Sequence, residues 1–382
     1  MCIRDRVVAI LDMFAYFFRA VVFVLLMTTE FGLDDATASQ YYGAYGGIAV
    51  VLALVLFAFP TTNRIPVTHL AFTGAFMEAA GTALLLYKRD VHTLRLCIFF
   101  LFPVGSALGT PVMKRLFKQY VWDKRVERIN VYMYIGINAA AAAATFSSSY
   151  LRRWVVDVHP MGFTPHEFFF FVSACCELLV CLIIAVGWFD TSVYVDESGR
   201  PWRIFSTARA LRRYVASGRK AARLVVPERL PKGIRPSPPG DTVSVVVRRT
   251  LVNKEFQALM ILSLAVACGT RLIYRSMDMF YAVVLERRFG ETYDWGIVMG
   301  INPVVIIVAT YPINAALRKM ALFKTNYVLR ILVGSIISVL SLIPVAVDTS
   351  TTTMCFHVGI LSVGELFWGA TFDALAILSL IH

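Results

Sequence analysis

The sequence is short of charge. Only 16% of its 382 residues are Asp, Glu, Lys or Arg, and 58% are apolar, above the roughly 45–50% of an ordinary soluble domain. Such a chain cannot cover a water-facing surface with charge, which excludes a soluble globular protein. Chemical motifs are missing as well. No G-x-x-x-x-G-K-[ST] loop is present to cradle phosphates, which argues against ATP-driven transport by this chain. There is no N-x-[ST] glycosylation acceptor and no C-x-x-C pair. The seven cysteines are odd in number, and Cys175, Cys176 and Cys181 share one apolar segment. They read as small buried residues rather than disulfides or metal ligands. No nucleophile set, metal cluster or cofactor loop is visible, so an enzyme is the least expected class and no cofactor is expected.

What the sequence has is long apolar runs. About 20 such residues cross a hydrocarbon core of roughly 30 Å as a helix. Ten runs occur, at 7–28, 39–59, 67–87, 94–113, 130–150, 166–188, 256–285, 295–317, 327–347 and 354–379. Their apolar residues lie all round the helix, and no strand alternation competes. The expected class is an all-α polytopic membrane protein. The stretches Ala139 to Ala144 and Gly43 to Gly47 read as surfaces on which helices approach closely.

Lys and Arg in the loops set the orientation. The connections after spans four ("KRLFKQYVWDKRVER") and six (189–255) are strongly basic, and the one after span one ("TEFGLDDATAS") has no basic residue. Both ends and the central loop are then cytoplasmic, although "YKRDVHTLR" between spans three and four is basic on the opposite side. The net charge of +12 sits mostly in cytoplasmic loops. It suits a membrane face rather than nucleic acid, because no aromatic-interleaved soluble domain accompanies it.

The expected organisation is a six-helix bundle at 7–188, a cytoplasmic linker at 189–254 and a second bundle at 255–379 with four spans. In the linker, "RPWRIFSTARALRRYVASGRKAARLVV" puts Ile204, Ala208, Leu211 and Val215 on one helical stripe and Arg209, Arg212, Arg213, Arg219 and Lys220 on the others. That pattern suits a basic helix lying along the membrane. "PERLPKGIRPSPPGD" follows as an extended tether. "MCIRDR" and "LSLIH" at the two ends read as foreign to the protein, and the natural chain is expected to continue in both directions.

Charged residues within spans cost several kcal/mol, about 2.5–3.5 on insertion scales, and ask for a role. Arg19 falls near the middle of span one with Tyr16 three residues earlier; its planar fork suits a carboxylate or other anion, or a structural partner. Arg275 and Asp278, also three apart, can pair within span seven or line a cavity. Arg271 is placed to snorkel. Asn138 and Asn302 lie in spans five and eight, where asparagine commonly bonds across helices. Glu78 and Glu177 read as interhelical bonding groups, and Asp373 as near the boundary. Glu365, in "SVGELFWGATFDALAI", is the strongest single candidate: burial raises a carboxylate's pKa and a nearby cation lowers it.

Local motifs add a resemblance. "GTPVMKRLFKQY" followed by "VYMYIGINAAAAAATFSSSYL" resembles the span-four to span-five region of the proton-dependent oligopeptide transporter family of the major facilitator superfamily, through Gly109, Pro111, Tyr132, Ile137 and Asn138. "WGIVMGINPVVIIVATYPINAAL" resembles its span eight through Ile301, Asn302, Pro303, Ile306 and Pro312. "VGELFWGATFDAL" resembles its G-E-L span ten through Gly364, Glu365 and Leu366. The match is collinear over roughly 10 to 378. Departures stand beside it. The first-helix signature of the family is kept loosely at Asp12, Phe14, Tyr16 and Arg19, Thr110 replaces the lysine of the span-four turn, and "PTTNRIP" is a reduced form of the turn between spans two and three. Ala370 or Thr371 stands where the family has proline after Gly-Glu-Leu.

The resemblance implies a two-bundle fold of twelve spans, ten present here, and a secondary transporter working by alternating access. It implies proton-coupled uptake of small peptides or related solutes, with Asn138 near the ligand cavity. Glu365 would receive an amino group opposite Arg19. Proline pairs Pro103 and Pro111, and Pro303 and Pro312, would give flexibility or static kinks. Two alternatives stay open: a uniporter or carrier of nitrate, organic anions or amino acids, and a non-transporting receptor or scaffold. The expected partners are lipid, a small solute and protons, with no nucleic acid; oligomeric state is not read from the sequence.

Overall fold

The computed structural model describes residues 3–58, 65, 67–109, 126–187, 193–195, 201–203, 223–224, 272–290, 293–324 and 326–379, with scattered residues in 252–270. Each expected span is a helix where it is described. Span one is two helices, α1 (Ile3–Ala20) and α2 (Phe23–Thr29), interrupted at the β-branched pair Val21–Val22. Next come α3 (Asp35–Ala58) and α4 (Val67–Tyr87). The fourth, α5, opens at Val91–Leu96, three residues before the expected start. Asp90 caps it, accepting from the backbone N–H of Thr93 at 2.9 Å and its hydroxyl at 2.8 Å. Those bonds hold the Asp90 carboxyl down at about 2.

The helix continues to residue 109 through a wide turn at Cys97–Leu101. Pro103 explains it: its ring opposes the carbonyl of Phe99 and it lends no N–H, so the turn opens rather than breaks. Pro111 lies outside the described residues.

Span five is α6 (Val126–Val158), and span six is α7 (Pro165–Gly187). The start of α7 is a reciprocal cap. Glu167 N–H donates to Thr164 Oγ1 at 3.3 Å, Thr164 N–H donates to Glu167 Oε2 at 3.0 Å, and Pro165 takes the first helical position. Span seven is described as α8 (Leu272–Phe289), span eight as α9 (Trp295–Lys319) with Pro303 and Pro312 inside it. Span nine is divided into α10 (Tyr327–Leu340) and α11 (Leu342–Val347) at Ser341, three residues before Pro344. The carbonyl of Ser341 at that break accepts from Nδ1 of the buried His357 at 2.7 Å. Span ten is α12 (Thr351–Ser379). Among the described residues, six helices are long and apolar enough to cross a membrane: 7–29, 69–87, 91–109, 165–186, 295–317 and 327–347. The protein is an integral, multi-pass membrane protein.

The linker departs from expectation. Val193–Val195, Pro201–Arg203 and Arg223–Leu224 form three antiparallel strands, β1, β2 and β3, in the order β2-β1-β3. Tyr194 is opposite Trp202 on one side and Leu224 on the other. Strands therefore occupy both ends of the segment read as a basic helix, whose apolar stripe lies outside the described residues.

The chain divides into two compact units. One comprises residues 1–15, 36–124 and 170–249, the other 16–35, 125–169 and 250–382. In the first, Val8, Leu70, Ala71, Ala75, Val180 and Ile184 form a buried cluster. Cys97 donates to the carbonyl of Gly81, and Cys97 and Cys181 are buried as expected. Cys175 is instead exposed, and all five described cysteines are free. In the second unit α6 groups with α8 to α12, whereas the expected bundles are contiguous in sequence.

Small residues set the closest packing of the second unit, though not all of those expected. A Cβ on Gly334 of α10 would meet the carbonyl of Gly364 at 2.6 Å and Cβ of Phe367 at 2.7 Å, both on α12. One on Gly300 of α9 would meet the Phe146 ring of α6 at 2.8 Å. Ala140, Ala141, Ala142 and Ala144 are buried, as the alanine run predicts. Gly43, Gly46 and Gly47 correct the reading: a Cβ on any of them meets nothing within 4 Å among the described residues. Among the described residues no neighbouring helix requires glycine there.

The contrast is testable. Gly334→Val is expected to lower stability by about 1–3 kcal/mol through overpacking, read as a lower thermal midpoint in detergent or nanodiscs. Gly43→Ala is expected to leave that midpoint in place or raise it slightly.

Candidate functional site

The carboxylate expected to matter is held by two other helices. Tyr134 of α6 donates its hydroxyl to Oε1 of Glu365 at 2.7 Å, and Asn302 of α9 donates Nδ2 to Oε2 at 3.1 Å. The same amide lies 3.0 Å from Ser362 Oγ, which in turn donates to the carbonyl of Val358 at 2.6 Å. Ser362 has no other proton to give, so the amide must donate, and this fixes the Asn302 orientation. On α12, Ser362, Glu365 and Gly369 are three and four residues apart and share one face. The glycine gives this contact its room: a Cβ there would stand 3.0 Å from the Tyr134 hydroxyl and 3.4 Å from Cγ of Glu365, close enough to press on the tyrosine.

Magnitudes explain why two donors are recruited. An acidic side chain in mid-membrane costs about 2.5–3.5 kcal/mol. A hydrogen bond to a charged group contributes about 1.5–3 kcal/mol, so two donors match the cost. Asn302 is buried and Glu365 is half-buried, so the carboxylate keeps an approachable side.

Asn138 has a supporting place. It is buried, and its amide donates to the carbonyl of Tyr134 one turn earlier at 2.8 Å, fixing the turn from which the tyrosine projects. The sequence reading singled out Tyr132, whose side chain lies outside the described residues, and passed over Tyr134. The signal was there: Tyr134 stands four residues before Asn138 in Y-I-G-I-N, one helical turn away.

Basic groups separate into two kinds. Arg19 is buried to 2% exposure. Arg275 is exposed and donates Nη1 to the Tyr16 hydroxyl at 2.7 Å. Tyr16, expected beside Arg19, therefore partners Arg275. The side chain of Asp278, and Arg271 altogether, lie outside the described residues. Elsewhere, Glu78 packs its Cγ over Gly105 and Glu177 is fully buried, both in the first unit.

A second polar cluster, unforeseen in the sequence, joins the ends of five helices, α2, α6, α7, α8 and α9. Arg152 of α6 pairs with Glu286 of α8 at 2.7 Å, with both side chains under a tenth exposed. The Arg152 guanidinium lies over the Trp295 ring of α9 at 5.8 Å. His166, two residues into α7, has Nδ1 4.0 Å from Glu30 and Nε2 4.0 Å from Glu286. Flanking contacts tie the same end together. Arg287 meets Asp35 at 2.6 Å, Arg153 meets Asp294, Arg288 donates to the Thr349 carbonyl at 2.7 Å, and Tyr293 donates to Thr351 at 2.7 Å.

No protein-family model matches the sequence, and no curated protein does. Solved structures do. A POT family transporter in complex with a thioalcohol-conjugated peptide is similar with TM-score 0.67 at 16% identity, over 99% of this chain and 86% of that one. A structure described for substrate recognition in proton-dependent oligopeptide transporters is similar with TM-score 0.62 at 14% identity, over 98% and 86%. A bacterial homologue of the human drug peptide transporters PepT1 and PepT2 gives TM-score 0.59 at 15% identity, over 98% and 86%. At such identity the likeness establishes the fold. This chain has the all-α, major-facilitator-type fold of those transporters.

The Tyr134–Glu365–Asn302 arrangement is open to a thermodynamic test. Tyr134→Phe is expected to cost about 1–3 kcal/mol by leaving one carboxylate oxygen short of a donor. The loss should shrink in the Glu365→Gln background, so a double-mutant cycle on unfolding midpoints is expected to return a coupling of about 0.5–3 kcal/mol.

Proposed function

We propose that this chain is a secondary transporter, a divergent relative of the proton-dependent oligopeptide transporters, that carries small peptides or related solutes by alternating access. The observation that carries this reading is the half-buried carboxylate of Glu365, held on both oxygens by Tyr134 and Asn302. A carboxylate so fixed is a preorganised acceptor for a solute's ammonium group. The exposed Arg275, whose Nη1 donates to the Tyr16 hydroxyl, is the basic group assigned to the solute's carboxylate, since a guanidinium matches that planar anion with a two-donor fork. Arg19, too buried for first contact, serves the interior of its own unit. The bundles that alternate are 7–188 and 255–379, with the linker and both ends cytoplasmic and an inward proton gradient as the driving force. The fold shared with peptide transporter structures supports the solute class.

Uptake by liposomes containing the protein tests it. Dipeptide accumulation is expected under an inward proton gradient, and Glu365→Gln is expected to reduce it about tenfold or more, the equivalent of ~1.4 kcal/mol. Absence of uptake for dipeptides, amino acids and nitrate alike, with and without the gradient, would overturn transport. Dipeptide uptake indifferent to the gradient would remove the proton alone, and uptake of nitrate but not dipeptides would make the chain an anion carrier.

A further inference from the structure

The seam between α6 and α9 carries buried donors in excess of acceptors. Oγ of Ser149, Nε and Nη1 of Arg152 and Nε1 of Trp295 are all buried and have no hydrogen-bond partner among the described residues. They lie close together. Ser149 and Arg152 are one turn apart and share a face of α6. A Cβ on Gly296 would meet Ser149 Oγ at 2.4 Å, so the first turn of α9 rests on that hydroxyl. The Arg152 guanidinium lies over the ring of the preceding residue, Trp295, at 5.8 Å. Arg152 and Trp295 are both more than nine-tenths buried.

A buried donor without an acceptor forfeits its hydration for nothing, and native structures rarely keep several in one place. Guanidinium and indole nitrogens can only donate. Ser148, the next hydroxyl on α6, is already committed to the carbonyl of Thr145 at 2.6 Å. A water accepting from these donors would bring two protons of its own, for which Arg152 and Trp295 have no lone pair. An anion brings acceptors alone. We propose that this seam holds one small monovalent anion, a halide of the size of chloride, bound by Nη1 of Arg152, Nε1 of Trp295 and the hydroxyl of Ser149.

Charge and size agree with such a ligand. Glu286 meets the guanidinium at Nη2, 2.7 Å away, and so balances its charge from α8, which limits the ligand to a single charge. Trp295 is the first residue of α9, where a helix of 25 residues presents the positive end of its dipole. Asp294, just before it, makes no side-chain cap there and pairs with Arg153 instead. The close approach at Gly296 leaves no room for an ion as large as sulfate. Once bound, the anion fastens α6 to the start of α9, a role that does not depend on the transported solute.

Chloride is the probe that tests this. The protein in lipid nanodiscs, moved from sodium gluconate into sodium chloride at constant ionic strength, is expected to gain thermal midpoint along a saturating curve, as a ligand of the folded state requires. Sulfate is expected to give no such curve. Ser149→Ala removes one donor, and Trp295→Phe removes the indole N–H while keeping an aromatic ring; each is expected to raise the half-saturating chloride concentration about tenfold or more. Iodide gives a local reading: a saturable, chloride-competed part of tryptophan quenching is expected in the unaltered protein and is expected to vanish in Trp295→Phe. A midpoint equal in gluconate and chloride overturns the proposal and assigns these donors to water, and that arm needs no variant to fold. A chloride dependence unchanged in both variants also overturns it, because the ion would then bind elsewhere. None of these readings involves solute, so the absence of uptake would leave the anion site standing, and the absence of chloride dependence would leave transport standing.

Discussion

Charge buried in an apolar bundle has to be answered from another helix, because lipid offers neither water nor counterion. The second compact unit is organised by two such answers. Glu365 on α12 is answered by α6 and α9, and Glu286 on α8 is answered by α6. α6 takes part in both, with Tyr134 near one end and Arg152 eighteen residues on. At a rise of about 1.5 Å per residue, the two contacts are separated by most of the length of a span. Removing Arg152 takes away the cation that faces the buried Glu286, and breaking a buried ion pair costs about 3–5 kcal/mol, whereas losing the Tyr134 hydroxyl removes one of the hydrogen bonds to Glu365, about 1–3 kcal/mol. α6 is therefore anchored at two depths, and this accounts for its grouping with α8 to α12.

Hydrogen bonds at these distances need helix axes closer than large side chains allow. The small residues supply the room. Gly300 admits the Phe146 ring between α9 and α6, and Gly369 leaves space for the Tyr134 hydroxyl beside Glu365. Gly334 and Gly364 bring α10 onto α12, and the Trp368 indole donates to Ser338 at 3.3 Å across the same seam. Without an aqueous driving force between helices, such contact and polar bonding are what hold them. Packing and site are thus one arrangement: the glycines that permit the approach also set the geometry of the carboxylate.

The spans, the all-α class and Glu365 were legible because each rests on a local property. Hydropathy over about 20 residues finds a span without any partner, and a glutamate in such a run stands out by cost alone. Partners were harder. Tyr134 was missed in favour of Tyr132, although only the former lies one turn from Asn138. Arg152 and Glu286 are 134 residues apart, and each sits near a helix end where a charge looks ordinary. Nothing in one sequence says that those ends converge. Gly43 to Gly47 failed for the opposite reason: small-residue content permits close approach, but a neighbour must be there to make it. The linker failed because a periodic stripe does not exclude pairing of its flanks, and Pro201 and Arg223 are in strands.

The position of proline gives the site a mechanical side. Pro303 follows Asn302 directly and provides no N–H to the carbonyl of Met299, so α9 bends most easily next to the residue that donates to Glu365. A bend there displaces the Asn302 amide from its two acceptors, Ser362 and Glu365. Any cation that neutralises Glu365 weakens the bond resisting that bend, because hydrogen bonds to a charged acceptor are roughly twice as strong as neutral ones. Neutralisation of the carboxylate and flexion of α9 are consequently linked by one shared hydrogen bond, and by reciprocity a bend in α9 changes the affinity of Glu365 for any cation that neutralises it.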